Sequence, residues 1–179
     1  MPDKGDFSLS ELHETVRGGE RVLIRRAQPA DAALYPDFLR DINADDLRLR
    51  FFGRTDALSA AEGDRLGHLD YEHDMIFVAL DEDSGRLLGL VRLRDELDEQ
   101  TAEFGILVRS RVKGHGIGWL LMHRVIDYAK EKGLRRVYGD VLAENAAMLQ
   151  MCAELGFHIL EMGPEARRAV LDLDHGGGR

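Results

Sequence analysis

A cluster of three glycines in the second half of the chain has the composition of an anion-binding loop. Gly114, Gly116 and Gly118 follow an apolar run and precede a segment, 118–132, whose apolar side chains recur at helical spacing. Glycine lets the backbone approach an anion closely, and the first N–H groups of a helix are unpaired and lie at the positive end of its dipole. Lys113 adds a positive charge beside them. This combination predicts a site for a phosphate or a pyrophosphate.

A glycine-rich segment before a helix has three other interpretations. A P-loop needs Gly-x-x-x-x-Gly-Lys followed by Ser or Thr, and the chain contains no such string. A dinucleotide-binding fingerprint needs Gly-x-Gly-x-x-Gly, whereas the spacing here is Gly-x-Gly-x-Gly and the loop comes late in the chain. A plain glycine-rich connector also fits, because glycine-rich turns are common between elements. Spacing alone therefore excludes the two nucleotide motifs and leaves the connector open.

The elements that must position this loop alternate between strand and helix. Strands are predicted at residues 22–26, 75–80, 86–94, 102–108, 136–142, 158–162 and 169–173. Helices are predicted at 45–52, 59–69, 118–132 and 145–155, and Pro29 and Asp31 open a further helix. The order predicts an α/β domain built on one mixed sheet, with a three-strand meander in its middle.

Size and composition favour a single globular domain. The chain has 179 residues, of which 44% are hydrophobic, and no Pro/Gly/Ser linker or internal repeat divides it. We expect a flexible N-terminal segment at 1–19, one domain at 20–174 and a flexible tail at 175–179.

Charge and cysteine content limit the classes of partner. The net charge of −9 disfavours a nucleic-acid partner and is compatible with a cationic acceptor such as an amine. The apolar runs are too short to cross a bilayer, and the N-terminus lacks the features of a signal peptide. The single cysteine, Cys152, excludes an internal disulfide and suits a reducing compartment. We therefore expect a cytoplasmic protein with no nucleic-acid and no membrane partner; the oligomeric state is left open.

Two spaced motifs resemble those of the GNAT superfamily of N-acetyltransferases. The pyrophosphate motif of that family is Gln or Arg, two residues, Gly, one residue, then Gly or Ala. Lys113-Gly-His-Gly116-Ile-Gly118 matches it, with Lys in the first position. The segment 145–157, which ends in Gly-Phe, is similar to a later helix and turn of the family. The order of elements over 22–173 also resembles the GNAT order.

Within the superfamily, the chain most resembles the acyltransferase domain of bacterial protein lysine acetyltransferases, through the stretches 47–53, 68–75 and 102–108. The resemblance implies a GNAT fold, in which helices cover both faces of a mixed, mostly antiparallel central sheet and one central strand splays from its neighbour. It also implies acetyl-CoA as the acyl donor, coenzyme A as the product, and no metal.

The strand predicted at 102–108 carries the candidate catalytic residue. Glu103 is the only charge in this otherwise apolar strand, and alternation places it on one face with Gly105 and Leu107. A glutamate that only faces solvent would fit the same pattern. In the resembling subgroup a glutamate at this place serves as general base, often through water. Glycine weakens a strand unless a bulge or a close approach is needed, and a bulge at Gly105 would suit the splayed strand. The resemblance predicts these cofactor-binding residues: Ile106, Leu107, Val108, Lys113, Gly114, His115, Gly116, Ile117, Gly118 and Asn145.

Two positions in the predicted helix 145–155 have competing interpretations. Asn145 is either a plain N-cap or, as in the family, a contact to the cofactor arm. In many family members a tyrosine at the place of Cys152 protonates the leaving thiolate, so its replacement here puts the general-acid step in question. The alternative is that Cys152 is a small core residue on the apolar face of the helix. A route through a covalent acyl-cysteine needs a histidine near Cys152 to activate the thiol, and no motif places one there.

Two further groups of residues have side chains that could bind a ligand. The first group has a spacing that matches no common metal site, and it is predicted to form a loop leading into a strand. It consists of His68, Asp70, His73 and Asp74. The other group is predicted as the edge of an amphipathic helix, and in GNAT folds this region borders the acceptor site: Arg48, Arg50, Phe51 and Phe52.

The leading hypothesis is an N-acetyltransferase that transfers an acetyl group from acetyl-CoA to a primary amine, a protein lysine, by direct attack in a ternary complex with Glu103 as general base. A transferase for small-molecule amines is the alternative within the same enzyme class. A module that senses acyl-CoA without catalysis is the alternative from another class. Turnover on lysine substrates, turnover on free amines only, or binding without turnover separates the three.

Overall fold

The structure, a computed structural model, describes residues 10–51, 55–98 and 100–173, without the side chains of 51 and 55–60. Its strands are β1 (Leu12–Thr15), β2 (Arg21–Arg26), β3 (Asp74–Asp81), β4 (Leu87–Asp95), β5 (Thr101–Val108), β6 (Arg136–Leu142), β7 (His158–Glu161) and β8 (Ala166–Asp172). Its α-helices are α1 (Tyr35–Arg40), α2 (Ala44–Phe51), α3 (Thr55–Gly67), α4 (Ile117–Lys132) and α5 (Ala146–Glu154). The strands form one open sheet in the order β1-β2-β3-β4-β5-β6-β8-β7.

Helices cover both faces of this sheet because successive strand residues point to opposite sides. One layer of the core joins α4 to Met75, Phe77 and Ala79 of β3. The other layer joins α1 and α3 to the intervening residues Ile76, Val78 and Leu80. The predicted α/β architecture is therefore confirmed. No helix in the described ranges is both long and apolar enough to cross a membrane.

The sheet opens between β5 and β6, which are the only parallel neighbours among the described strands. Residues 101–103 lie opposite 136–138, and the strands separate beyond them. The ring of Phe104 fills the base of the opening: a Cβ added to Gly139 would stand 2.5 Å from Phe104 Cζ. Phe104 also packs edge-on against Phe157, with ring centroids 5.5 Å apart. The expected splayed strand is present, and its backbone is free to face a cleft.

The N-terminal segment expected to be flexible contains an edge strand. Leu12–Thr15 pairs antiparallel with β2, and Leu12 and Val16 pack against the core, so two apolar side chains hold a segment that is otherwise polar. The predicted tail at 175–179 lies outside the described residues. The domain boundaries at 19 and 174 stay predictions.

The bulge expected at Gly105 is absent. The pairing of β5 with β4 runs without interruption from Ala102 to Val108, and the irregularity in this part of the sheet lies between Ala79 and Leu80 of β3. The prediction was wrong because glycine is required at this position for a close approach of another side chain, which is described below.

A fully buried arginine ties the end of β5 to α1. Arg109 donates from Nε and Nη2 to the Leu87 carbonyl, at 2.9 and 2.8 Å, and pairs with Asp37 at 3.1 Å and with Asp41. A buried cation is tolerated only when it is paired and hydrogen-bonded, and Arg109 is both. Donation from Arg86 and Arg109 holds the pKa of the Asp37 carboxyl well below its usual range.

Candidate active site

A cleft of about 990 Å³ lies where β5 and β6 diverge. One end is formed by the glycine loop and the start of α4, and the other end by α3 and β4, while α2 extends from Asp46 beside Lys113 to Arg50 over Gly105. Between these ends it is bordered by β5 and by Met148 and Met151 of α5. Its position at a break in strand pairing gives it a strip of unpaired backbone as one wall.

The glycine loop lies at one end of the cleft and leads into α4. Gly114 and Gly116 have φ angles of 81° and 98°, in the left-handed region that favours glycine, and Gly116 is the N-cap of α4. The first helical hydrogen bond runs from the Leu120 N–H to the Gly116 carbonyl at 3.1 Å. The N–H groups of Ile117, Gly118 and Trp119 therefore lack helical acceptors and are available to an anion.

Lys113 is directed towards α2. Its ammonium lies 2.5 Å from Asp46 Oδ1, and Asp46 also accepts a hydrogen bond from the Ser110 hydroxyl at 2.6 Å. Lys113 lines the cleft, but Asp46 neutralises the charge that the sequence placed beside the glycines. The two residues are far apart in the chain, so the sequence pattern gave no sign of the pair.

The other predicted loop residues divide into those that line the cleft and those that support it. Gly114, Gly116 and Gly118 line it, whereas the Ile117 side chain is buried in the core. The His115 ring is 3.1 Å from Glu20 and lies outside the cleft lining.

His115 joins the loop to the turn between β1 and β2, because its carbonyl accepts from the Arg17 N–H at 3.2 Å. This contact brings Arg17 to the cleft. Sequence reasoning missed Arg17, which lies in the segment that was expected to be flexible.

The predicted contacts on β5 and α5 also line the cleft. Ile106, Leu107 and Val108 lie on the part of β5 that β6 does not pair with, so their backbone groups on that side are available for an added extended chain. Asn145 caps α5 by accepting from the Met148 N–H at 3.3 Å, and it lines the cleft as well. Both interpretations of Asn145 are therefore compatible with the structure.

Glu103 stands at the point where the two strands separate. Its residue pairs with Tyr138 of β6 at the last parallel position and with Arg94 of β4 on its other side. The side chain is exposed and lines the cleft. Among the described residues, no basic nitrogen lies within 4.0 Å of its carboxylate. Burial, a hydrogen bond to Glu96 and the charge of Glu103 raise the pKa of Tyr138, so this phenol stays protonated.

A buried ion pair stands over the strand next to Glu103. Arg50 of α2 donates to Glu62 of α3 at 3.0 Å, and the Glu62 side chain is 2% exposed. The guanidinium lies on Gly105, where an added Cβ would stand 2.7 Å from Arg50 Cζ. This close approach explains why residue 105 is a glycine, since any side chain there would overlap Arg50. Arg50, which was predicted to border the acceptor site, lines the cleft. Glu62 was missed because a glutamate in a predicted helix carries no sign of burial.

Cys152 takes no part in the cleft. Its side chain is fully buried in the core, and burial raises the pKa of the thiol to about 12. Met148 and Met151 of the same helix line the cleft instead. The interpretation as a core residue is confirmed, and the thiol is not placed to donate a proton to a group in the cleft.

The residues considered for a metal form an exposed turn before β3. Asp70, Glu72 and His73 have potential ligand atoms within 4.8 Å of one another, and His73 Nδ1 is 3.1 Å from Asp70 Oδ2. This hydrogen bond and the backbone bond from Asp74 N–H to the Asp70 carbonyl at 2.8 Å account for the cluster as a turn. It leads into the strand as expected.

Comparison with known proteins identifies the family. Residues 37–157 match the acetyltransferase (GNAT) family, which is more than half of the chain. The chain belongs to this family. A Pseudomonas aeruginosa protein named as an acetyltransferase is 32% identical to this GNAT chain over 146 residues, which cover 80% of the chain and 78% of the relative. The chain is therefore an acyltransferase, and enzymes of its family use acetyl-CoA.

Solved structures show the same fold. The GNAT domain of PAT from S. lividans has a TM-score of 0.83 at 22% identity, over 96% of this chain and 100% of that one. The protein yncA of Salmonella typhimurium, determined with its cofactor acetyl-CoA, has a TM-score of 0.66 at 23% identity, over 88% of this chain and 96% of that one. At these identities the likeness establishes the GNAT fold and not the acceptor.

Proposed function

We propose that this GNAT enzyme transfers an acetyl group from acetyl-CoA to the amine of a protein lysine, by direct attack in a ternary complex, with Glu103 as general base. The observation that carries this proposal is the position of Glu103, a carboxylate without a described ion-pair partner, at the opening between β5 and β6. It faces a cleft whose other end is an anion-binding helix start.

The residues of the cleft fit a coenzyme A thioester. Gly114, Gly116 and Gly118, with the first N–H groups of α4, suit the pyrophosphate, because they offer several unpaired donors in one small space. The unpaired edge of β5 at 106–108 suits the amides of the pantetheine arm, and Asn145 also lines the cleft. When bound, acetyl-CoA supplies a thioester that is already activated towards an amine.

Glu103 supplies the proton transfer that the acceptor needs. A lysine amine is protonated at neutral pH and must lose a proton before it can attack a carbonyl carbon. The exposed Glu103 carboxylate accepts that proton, directly or through one water. Glu103 lies on β5 next to the unpaired edge at 106–108, which suits the pantetheine arm, and it also adjoins the acceptor end of the cleft. The proton for the departing coenzyme A sulfur comes from water, because the Cys152 thiol is buried outside the cleft.

The acceptor end of the cleft supports an extended substrate. It is formed by side chains of α2, α3 and β4 and is open at its rim, where Arg94 is exposed. An open rim of this kind favours a lysine on a peptide surface over a small amine enclosed on all sides.

Mass spectrometry of acetylated products tests the acceptor class. The protein is incubated with acetyl-CoA and either a lysine peptide library or a panel of free amines, polyamines and amino acids. We expect acetyl-lysine peptides to form faster than any acetylated free amine. Turnover confined to free amines would contradict the lysine assignment. Calorimetric binding of acetyl-CoA without turnover on any amine would contradict catalysis and favour a sensing module.

A further inference from the structure

Three arginines meet at the acceptor end of the cleft, from two different elements. Arg65 belongs to α3, and Arg92 and Arg94 lie two residues apart on one face of β4; all three line the cleft. The register of the sheet places Arg94 directly opposite Glu103 and Arg92 opposite Gly105. Residues directly opposite in an antiparallel pair lie side by side on the same face. The arginines therefore adjoin the proposed general base.

Only one of the three has a carboxylate partner. Arg92 forms two hydrogen bonds with Asp74, at 2.5 and 2.9 Å, and its side chain is 12% exposed. Within the described ranges, no carboxylate oxygen lies within 4.0 Å of the guanidinium nitrogens of Arg65 or Arg94. Arg65 and Arg94 thus line the cleft without an ion pair among the described residues, in a protein whose net charge is −9.

The surroundings of Arg65 are unfavourable to its charge. The side chain is half-buried, and burial, together with repulsion from Arg92 and Arg94, lowers its pKa from the ordinary value, although the charges of Asp74 and Glu62 act in the opposite direction. A solvated surface arginine would experience neither effect to this degree. An anion bound between Arg65 and Arg94 would remove the repulsion and satisfy the two guanidinium groups, which match the geometry of a carboxylate.

We infer that Arg65 and Arg94 form a subsite for a carboxylate of the acceptor, so that the enzyme selects lysines that have Asp or Glu beside them in the sequence. This inference rests on the proposed function, since it places the lysine amine at Glu103. The amine and the carboxylate then occupy adjacent positions across β4 and β5. The same subsite would take the α-carboxylate of a free amino acid, and the experiment separates the two sources.

Matched peptides test the subsite directly. Two peptides differ only in the residues flanking one lysine, Glu in the first and Gln in the second, and kcat/KM is measured for each at saturating acetyl-CoA. Charge-assisted hydrogen bonds to the half-buried guanidinium of Arg65 and the exposed one of Arg94 give an expected preference of about tenfold for the Glu peptide. In R65Q/R94Q the ratio of kcat/KM between the two peptides falls to about twofold or less, mainly through a rise in KM for the Glu peptide.

The control is Arg135→Gln. Arg135 is exposed, lies outside the cleft and has no ion pair among the residues that the structure describes, so its replacement preserves the preference. Equal rates on the two peptides in the unmodified enzyme, or a preference that survives in R65Q/R94Q, would overturn the subsite. Melting temperatures of the variants serve as the folding check, since relief of repulsion is not expected to destabilise R65Q/R94Q.

Two further measurements separate the subsite from the proposed function. Calorimetry with acetyl-lysine products of both peptides reports on the subsite without turnover: tighter binding of the Glu product, lost in R65Q/R94Q, supports it, and equal binding contradicts it. If free amino acids are acetylated with the same dependence on Arg65 and Arg94, and peptides are not, the subsite stands and the protein-lysine assignment fails.

Discussion

The guanidinium of Arg50 lies directly on Gly105, close enough that a Cβ on that glycine would stand 2.7 Å from Arg50 Cζ. Glu62 fixes the guanidinium in this place through a hydrogen bond of 3.0 Å from α3. The pair thus connects α2 and α3 to the strand that carries Glu103.

Gly105→Ala is expected to destabilise the protein by about 1–3 kcal/mol, because the added methyl group overlaps an arginine that Glu62 holds in place. In an Arg50→Ala background the same substitution should cost much less. Urea unfolding of the two single variants and the double variant measures the coupling. An equal cost of Gly105→Ala in both backgrounds would show that the contact does not explain the glycine.

Asp46→Asn is expected to tighten acetyl-CoA binding about two- to fivefold, since it releases the Lys113 ammonium towards the glycine loop. The gain should shrink as salt is added, because phosphate contacts of an exposed lysine are screened. Asp45→Asn is the control, as Asp45 lies on the same helix, is exposed and pairs with Arg48. Calorimetric titration measures the affinity, and weaker binding in Asp46→Asn would contradict a role for Lys113 at the phosphates.

Cys152 is expected to be unreactive in the native protein, because burial raises the pKa of its thiol to about 12 and leaves almost no thiolate at neutral pH. Ellman's reagent should label it only after unfolding in guanidinium. Cys152→Ala should cost about 1 kcal/mol of stability and leave kcat within about twofold. A loss of turnover in a folded Cys152→Ala protein would restore a chemical role for the thiol.

The contribution of Asp37 to stability should disappear in acid. Hydrogen bonds from Arg86 and Arg109 lower the pKa of this carboxyl in the folded state, so ionised Asp37 stabilises the fold above its unfolded pKa of about 3.9. As pH falls towards the lowered folded value, that contribution is lost. The difference in melting temperature between the unmodified protein and Asp37→Asn should therefore be largest near neutral pH and narrow below about pH 4.

The comparison for this measurement is Asp64→Asn. Asp64 is exposed on α3 and has no ion pair among the described residues, so its replacement should give melting curves parallel to those of the unmodified protein at every pH. If the difference in melting temperature between Asp37→Asn and the unmodified protein stays constant with pH, the ion pairs of Asp37 with Arg86 and Arg109 contribute little to folding.

Much of the fold could be predicted from local patterns. Apolar alternation located β2 to β8 but not β1, and it correctly placed Glu103, Gly105 and Leu107 on one face. The contacts of Gly105 with α2 and of Leu107 with the α1–α3 layer show this. Helical spacing and Gly133 defined α4, whose C-cap glycine has a φ of 86°. These features depend on neighbours in the sequence, so the sequence shows them directly.

The parts of the site that could not be predicted depend on contacts between distant segments. Lys113 meets Asp46, Arg50 meets Gly105, and Arg65 lies near Arg92 only after the sheet and helices are assembled. The predicted bulge at Gly105 failed for the same reason, since a glycine in a strand does not reveal which side chain packs on it. His115 and Ile117 lie in the motif but point away from the cleft, because a helix start distributes its side chains around its axis.

The rate of acetyl transfer in Glu103→Gln tests the central claim most directly. Single-turnover rates are measured at saturating acetyl-CoA and saturating lysine peptide, and calorimetry confirms that the variant binds acetyl-CoA as tightly as the unmodified enzyme. Glu165→Gln, an exposed carboxylate outside the cleft, is the control. Loss of a general base predicts a fall of about 10²- to 10⁴-fold in rate, with little change in KM. A rate within about twofold of the unmodified enzyme would show that Glu103 does not take the proton of the acceptor.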